Sequence, residues 1–266
     1  MSEPVRLVAQ SFGESGEPLV VLHGLLGSGT NWRTVARRLS EAYTVWLPDA
    51  RNHGRSPHVP NMGYAEQADD VLALLDRERI ERAHIMGHSM GGKTAMTMAN
   101  RAPNRVRSLT VVDIAPVSYP SDPESPQRRL MTAMQQLDLT RITSRKDADR
   151  TLAEAIDDHA LRAFALLGLD RIDDAFQWRM NVDELLRSLP TMRDFPSLAK
   201  PAYPGPTHFI YGDQSPYVQP EHHRDIEALF PRVQWSSIAS AGHWVHAEQP
   251  AAFIEAVERF LREIAP

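Results

Sequence analysis

The chain has 266 residues, 42% of them hydrophobic and 24% charged, which is the composition of an ordinary soluble globular protein with a sizeable core. A formal net charge of -5 argues against a nucleic-acid or anionic-membrane surface, and the absence of cysteine excludes disulfides, thiolate metal sites and a cysteine nucleophile. No apolar run approaches the roughly 20 residues of a membrane helix, and no apolar segment follows a basic start as in a secretory signal, so the expectation is a cytoplasmic protein with no membrane span.

In chain order, "PLVVLHG" (Pro18–Gly24) reads as a buried strand running into the glycine-rich loop "HGLLGS". Such a loop can aim a backbone N–H at an oxyanion, and Leu25 is the candidate donor, with His23 a brace. No G-x-x-x-x-G-K-[ST] is present, so this is not a phosphate loop. "YTVWLPDA" is the next strand. From Tyr64 to Asp76, Ala68, Val71, Leu72 and Leu75 fall at helical spacing on one face. "AHIMGHS" follows as a strand, and "KTAMTMANR" as a helix.

Between them lies "GHSMG", Gly87–Gly91. Strand, sharp turn and helix are the context that the G-x-S-x-G pattern needs. Glycines give room at the tight turn. Ser89 is then the candidate nucleophile, and the Met90 amide, at a helix N-terminus, the second oxyanion donor. "LTVVDIAP" is another strand, carrying Asp113 at its carboxyl end.

Residues 117–206 break the alternation. Leu130, Met134 and Leu137 form one helical stripe, and Leu152, Ala155, Ile156 and His159 another, with little strand signal. Proline-rich loops bound the segment, which reads as a helical insertion of the lid type. The strands "THFIYGD" and "VQWSSIASAGH" follow, and a last amphipathic helix runs from Ala251 to Ile264 with Phe253, Ile254, Val257, Phe260 and Leu261. Continuous apolar runs alternating with helices predict a wound, mostly parallel α/β sheet. The expected division is a core of residues 1–116 and 207–266 and a cap of 117–206.

A serine nucleophile needs a base, and histidine titrates near neutral pH. Of eleven histidines, His243 lies in the loop after the last strand, at the sheet edge where open α/β sheets build sites. It also follows Ser89 in the order Ser, acid, His. His246 is a neighbouring decoy, and His53, His84, His88, His208, His222 and His223 read as structural or solvated, so no metal site is expected.

"HGLLGS", "DARNHGRS", "GHSMGG" and "AGHWVHAEQP", in this order and spacing, resemble the α/β-hydrolase fold over nearly the whole chain. "RNHGRS", "GHSMGGKTAM", "DIAPV" and "SPYV" are similar to a subgroup of bacterial and mitochondrial esterases and thioesterases. The resemblance implies cofactor-free hydrolysis of small-molecule acyl esters or thioesters through an acyl-enzyme on Ser89. Perhydrolases and C–C bond hydrolases share the triad, and a ligand receptor of the same fold is the rival outside enzymes.

The resemblance also frames the acid. In most of the fold family the strand after the cap ends in Gly-x-x-Asp, whereas here Gly212 leads to Ser215 in that slot, with Asp213 two residues early. Asp113 matches the family members that keep the acid one strand back and is preferred, with Asp213 the alternative. The "DARNHGRS" loop mostly braces the sheet top in this family. Lys93 reads as a salt bridge or a snorkelling stem. Trp178 and Met180 in the cap, with Ser215, Tyr217 and Trp244 near the triad loops, are candidate walls of an acyl pocket, core packing being the equal alternative.

Overall fold

The computed structural model describes residues 3–120 and 122–264. Seven strands form one sheet in the order β1-β3-β2-β4-β5-β8-β9. They are β1 (Ala9–Phe12), β2 (Glu17–Leu22), β3 (Tyr43–Pro48), β4 (Ala83–His88), β5 (Val106–Val112), β8 (Thr207–Gly212) and β9 (Val233–Ile238). Only β1 is antiparallel to its neighbour; the other pairs are parallel. Every residue of β4 is buried, the result of helices covering both faces.

Side chains of each strand alternate between those faces. Val20, Leu22, Ile85, Leu109 and Val111 pack on one side with α2 (Tyr64–Arg77) and α3 (Met90–Arg101). Leu19, Val21, Met86 and Val112 pack on the other with α1 (Arg33–Leu39) and α10 (Pro250–Glu263). In α10, Pro250 opens the helix, where a missing N–H costs nothing. Phe253, Val257, Phe260 and Leu261 are its buried face, and Ile254 is only half-buried. Burying a side chain such as Phe260 contributes about 1.5–3 kcal/mol. In α2 the buried aliphatic face is Ala68, Val71, Leu74 and Leu75; Leu72 sits at its margin.

The first strand was not expected. "AQSF" is short and at most half-buried, as suits an edge strand, and has no apolar run to reveal it.

From β5 the chain leaves the sheet and returns at β8. In between lie α4 (Pro126–Gln136), α5 (Arg145–Leu152), α6 (His159–Leu166), α7 (Val182–Arg193) and a hairpin of β6 (Leu169–Ile172) and β7 (Ala175–Trp178). The hairpin corrects the all-helical expectation. Its turn is Asp173-Asp174, both at positive φ, as a two-residue type I′ turn requires. Without a glycine there, the turn signal was weak. The stripe from Leu152 to His159 is also corrected. The helix ends at Leu152 and a new one starts after Asp158, whose side chain accepts from the Leu161 amide, so His159 is exposed. Leu130, Met134, Leu152, Ile156, Leu185 and Leu189 make a separate apolar cluster that also takes in Tyr64 and Met90 from the sheet side. Among the described residues no helix is long and apolar enough to cross a membrane.

Candidate active site

Ser89 stands between β4 and α3 at φ 53° and ψ -116°. The turn is tight because two backbone segments nearly touch. A Cβ on Gly87 would lie 2.1 Å from the Gly91 carbonyl oxygen, and one on Gly91 would lie 2.4 Å from that of Leu22. The strained backbone aims the Ser89 hydroxyl above the sheet edge.

His243 Nε2 is 3.1 Å from Ser89 Oγ, and His243 Nδ1 is 2.6 Å from Asp113 Oδ2. A carboxylate only accepts, so Nδ1 carries the proton and Nε2 is left to accept from the serine. Asp113 is fully buried and itself at positive φ. Besides His243 it accepts from Ser215 Oγ at 2.5 Å and from the Gly212 amide at 3.1 Å. Three donors thus compensate a carboxylate withdrawn from water. Asp213 is exposed, and its amide bonds the Ile238 carbonyl in the β8–β9 edge. The acid that the structure brings to His243 is Asp113.

Leu25 and Met90 both line the cavity beside Ser89, and neither backbone amide has a hydrogen-bond partner among the described residues. The loop bearing Leu25 is held by two histidines of one tautomer. His23 donates from Nδ1 to the Gly24 carbonyl at 2.8 Å and accepts the Ala50 amide on Nε2 at 2.9 Å. His53 donates from Nδ1 to the Arg51 carbonyl at 2.9 Å and accepts the Leu26 amide on Nε2 at 3.2 Å. Burial lowers both, His53 to about 3, so both are neutral and fit these acceptor roles. In the same "DARNHGRS" loop, Arg51 forks onto Asp70 of α2 at 2.6 and 2.7 Å, and Asp49 accepts the amides of Gly29 and Arg55. The loop is a brace for the oxyanion side of the site.

One support was not read from the sequence. His88 Nε2 donates to the His243 carbonyl at 2.9 Å, tying the His243 loop to the strand that precedes Ser89. Burial, then the neighbouring His243 and His246, hold His88 far below its ordinary pKa. Its partner lies 155 residues away, so no local pattern marks it. His246 is buried with its ring stacked on Trp32 at 4.0 Å, a packing role.

The cavity at Ser89 has a volume of about 100 Å³. Leu161 and Phe164 of α6, Leu189 and Met192 of α7, and Tyr217 and Trp244 wall it. Three expected wall residues are elsewhere. Trp178 packs inside the segment between β5 and β8, where its Nε1 donates to the Met134 carbonyl at 3.1 Å, and Ser215 stands behind the triad on Asp113. Met180 borders a neighbouring surface groove instead.

A serine on a strand-to-helix elbow, a histidine bridging it to a carboxylate, and two free amides beside it are the geometry of a serine hydrolase. Residues 19–256 match the Alpha/beta hydrolase family, and the chain belongs to it. It is 39% identical to the sn-1-specific diacylglycerol lipase ABHD11 of Mus musculus, covering 94% of this chain and 82% of that protein. It is 34% identical to Esterase YbfF of Escherichia coli, covering 94% of each. Among solved structures, a marine microorganism esterase superposes with a TM-score of 0.92 at 36% identity, covering 96% of this chain and 99% of that one.

Proposed function

We propose that the protein is a serine esterase acting on small carboxylic esters, with Ser89 as nucleophile, His243 as general base and acid, and Asp113 as the acid that orients it. The observation that carries this reading is the unbroken relay from Asp113 through His243 to Ser89, at 2.6 and 3.1 Å. Ser89 Oγ attacks the acyl carbonyl as its proton passes to His243 Nε2. The carbonyl oxygen becomes an anion facing the Leu25 and Met90 amides, each worth about 10²–10³ in turnover in such sites. His243 then protonates the departing alkoxide, leaving an acyl ester on Ser89. Water, deprotonated by His243, releases the carboxylic acid and restores the serine.

Names of the relatives support ester hydrolysis. The cavity supports a small acyl group: about 100 Å³ falls below the 150 Å³ or so that holds a benzene ring. Residues 117–206 are the cap of this reading, contributing Leu161, Phe164, Leu189 and Met192 to the acyl chamber, while residues 1–116 and 207–266 form the catalytic core. A fluorophosphonate probe tests it: wild type labels one equivalent at Ser89 and Ser89→Ala labels none. A folded wild type that resists the probe and hydrolyses no aryl ester would sink the reading.

A further inference from the structure

The acyl chamber is bordered by two cationic residues, Lys93 and Arg193, and among the described residues by no Asp or Glu. Lys93 is only 1% exposed. Its place follows from the elbow: its amide donates to the Ser89 carbonyl at 3.1 Å, so it stands one helical turn from the nucleophile, on the same face of α3. Its Nζ donates to the carbonyls of Arg193 and Asp194 at the end of α7, each at 2.9 Å. The rings of Tyr119, Phe195 and Tyr64 lie 4.9, 5.5 and 5.7 Å from it, all suited to a cation.

An ammonium has three N–H donors. The two carbonyls take two; the third has no partner among the described residues. Lys93 is in no ion pair there either: Asp194 is exposed, and its carboxylate is engaged by Ser118 and the Phe195 amide. Arg193 donates from Nε to the Pro120 carbonyl at 2.8 Å and adds its charge to the same pole, where Gln127 also donates to the Tyr217 hydroxyl at 3.1 Å. Leu161, Phe164 and Trp244 also line the chamber and are apolar.

We propose that Lys93, supported by Arg193, is a carboxylate-recognition subsite of the acyl chamber, and that the preferred substrates are half-esters of short dicarboxylic acids. The inference rests on the serine-esterase reading and narrows its substrate class. The far carboxylate of the acyl group accepts the third Lys93 N–H, while the ester carbonyl lies at Ser89. Burial pushes Lys93 down to about 7, with Asp194 raising it and Arg193 lowering it. The groups facing Nζ are Tyr64 from α2, Tyr119 from the loop after β5, and Arg193 and Asp194 from the end of α7. Recognition of the anion therefore requires the protonated lysine. It is present below about pH 7 and lost as the pH rises above it.

The test compares kcat/KM for monoethyl succinate and for ethyl 4-methylpentanoate, in which an isopropyl group replaces the carboxylate, from pH 6 to 9. His243 serves both esters, so any pH dependence of the shared chemistry cancels in the ratio. Wild type favours the half-ester about tenfold or more at pH 6, as a hydrogen bond to a charged group allows, and the ratio falls through pH 7 to 8. In Lys93→Met it drops to within about threefold of unity. A wild-type ratio near or below unity that ignores pH overturns the inference, and a preference that Lys93→Met leaves intact overturns the assignment to Lys93. The wild-type pH series decides alone if the variant does not fold. Turnover of neither ester counts against the esterase reading itself.

Discussion

Ser215 Oγ and His243 Nδ1 meet on one oxygen: both donate to Asp113 Oδ2, at 2.5 and 2.6 Å. The serine occupies the position after β8 where the fold family usually holds its acid. It points a donor at a carboxylate supplied from β5. Asp113→Asn inverts one hydrogen bond and favours the wrong imidazole tautomer, so turnover of an aryl ester is expected to fall by about 10⁴-fold. Asp213→Asn stays near wild type. Ser215→Ala leaves the tautomer intact; its cost appears in urea unfolding as about 1.5–3 kcal/mol, with a far smaller kinetic loss than Asp113→Asn. The opposite ranking of the two aspartates would return the acid to Asp213.

The backbone of Ser89, at φ 53°, is a conformation that glycine adopts without strain. Ser89→Gly is expected to abolish activity while stabilising the fold by about 1–3 kcal/mol, visible as a rise of about 2–4 °C in Tm per kcal/mol. Ser89→Ala keeps the Cβ and the strain, so it is inactive without that gain. Equal Tm values for the two variants would show that the elbow stores no strain.

Burial lowers His53 and His246 to about 3 and His208 to about 4. In the unfolded chain each binds its proton near pH 6.5. Between that pH and the folded values the unfolded state binds more protons, so stability is full above about pH 6.5 and falls as the pH drops toward 4. Each such histidine contributes a slope of about 1.4 kcal/mol per pH unit in that window. His246→Phe, a ring for the stack on Trp32, is expected to flatten the measured slope by about that amount. Denaturant titrations at pH 6 and pH 5 check it, and an unchanged slope counts against a neutral buried His246.

Phe164 and Trp244, with ring centroids 5.4 Å apart, wall both the acyl chamber and a surface groove of about 680 Å³. Removing either ring is expected to join the two spaces. Phe164→Ala or Trp244→Ala is expected to raise the ratio of kcat/KM for p-nitrophenyl octanoate over the butyrate by about tenfold or more, each buried methylene contributing about 0.8 kcal/mol. Trp178→Ala, which lies outside the chamber, leaves the ratio unmoved. A shift with Trp178→Ala and none with the other two would relocate the chamber wall.

Most of the sheet was legible because β4, β5, β8 and the later residues of β2 and β3 are largely buried and read as apolar runs, while β9, an edge strand with Gln234 and Ser237 exposed, was legible from Val233, Trp235 and Ile238. The edge strand β1 and the β6–β7 hairpin were not, since each strand is four residues long and its apolar residues are interrupted by polar ones. Ser89 was legible from five residues because the turn demands glycines around it. His243 was legible from its place in chain order. The choice between Asp113 and Asp213 was not, because a carboxylate's partner 130 residues away leaves no local spacing. Resemblance tilted that choice; the 2.6 Å contact is what the residue pattern could not contain. Lys93 shows the same limit: its charge was plain, but its two carbonyl partners lie 100 and 101 residues on.

Because the proposed acid comes from β5, Ser89 and Asp113 end adjacent parallel strands, 24 residues apart, and the chain completes both before it leaves the sheet at Asp113. Only the base is supplied after the return through β8. The segment between β5 and β8 can therefore be exchanged for one of another length, as a cassette, without separating Ser89 from Asp113. What a graft must preserve is the β5–β8 register, Val112 opposite Ile210, because the same edge delivers Gly212 and Ser215 to the carboxylate.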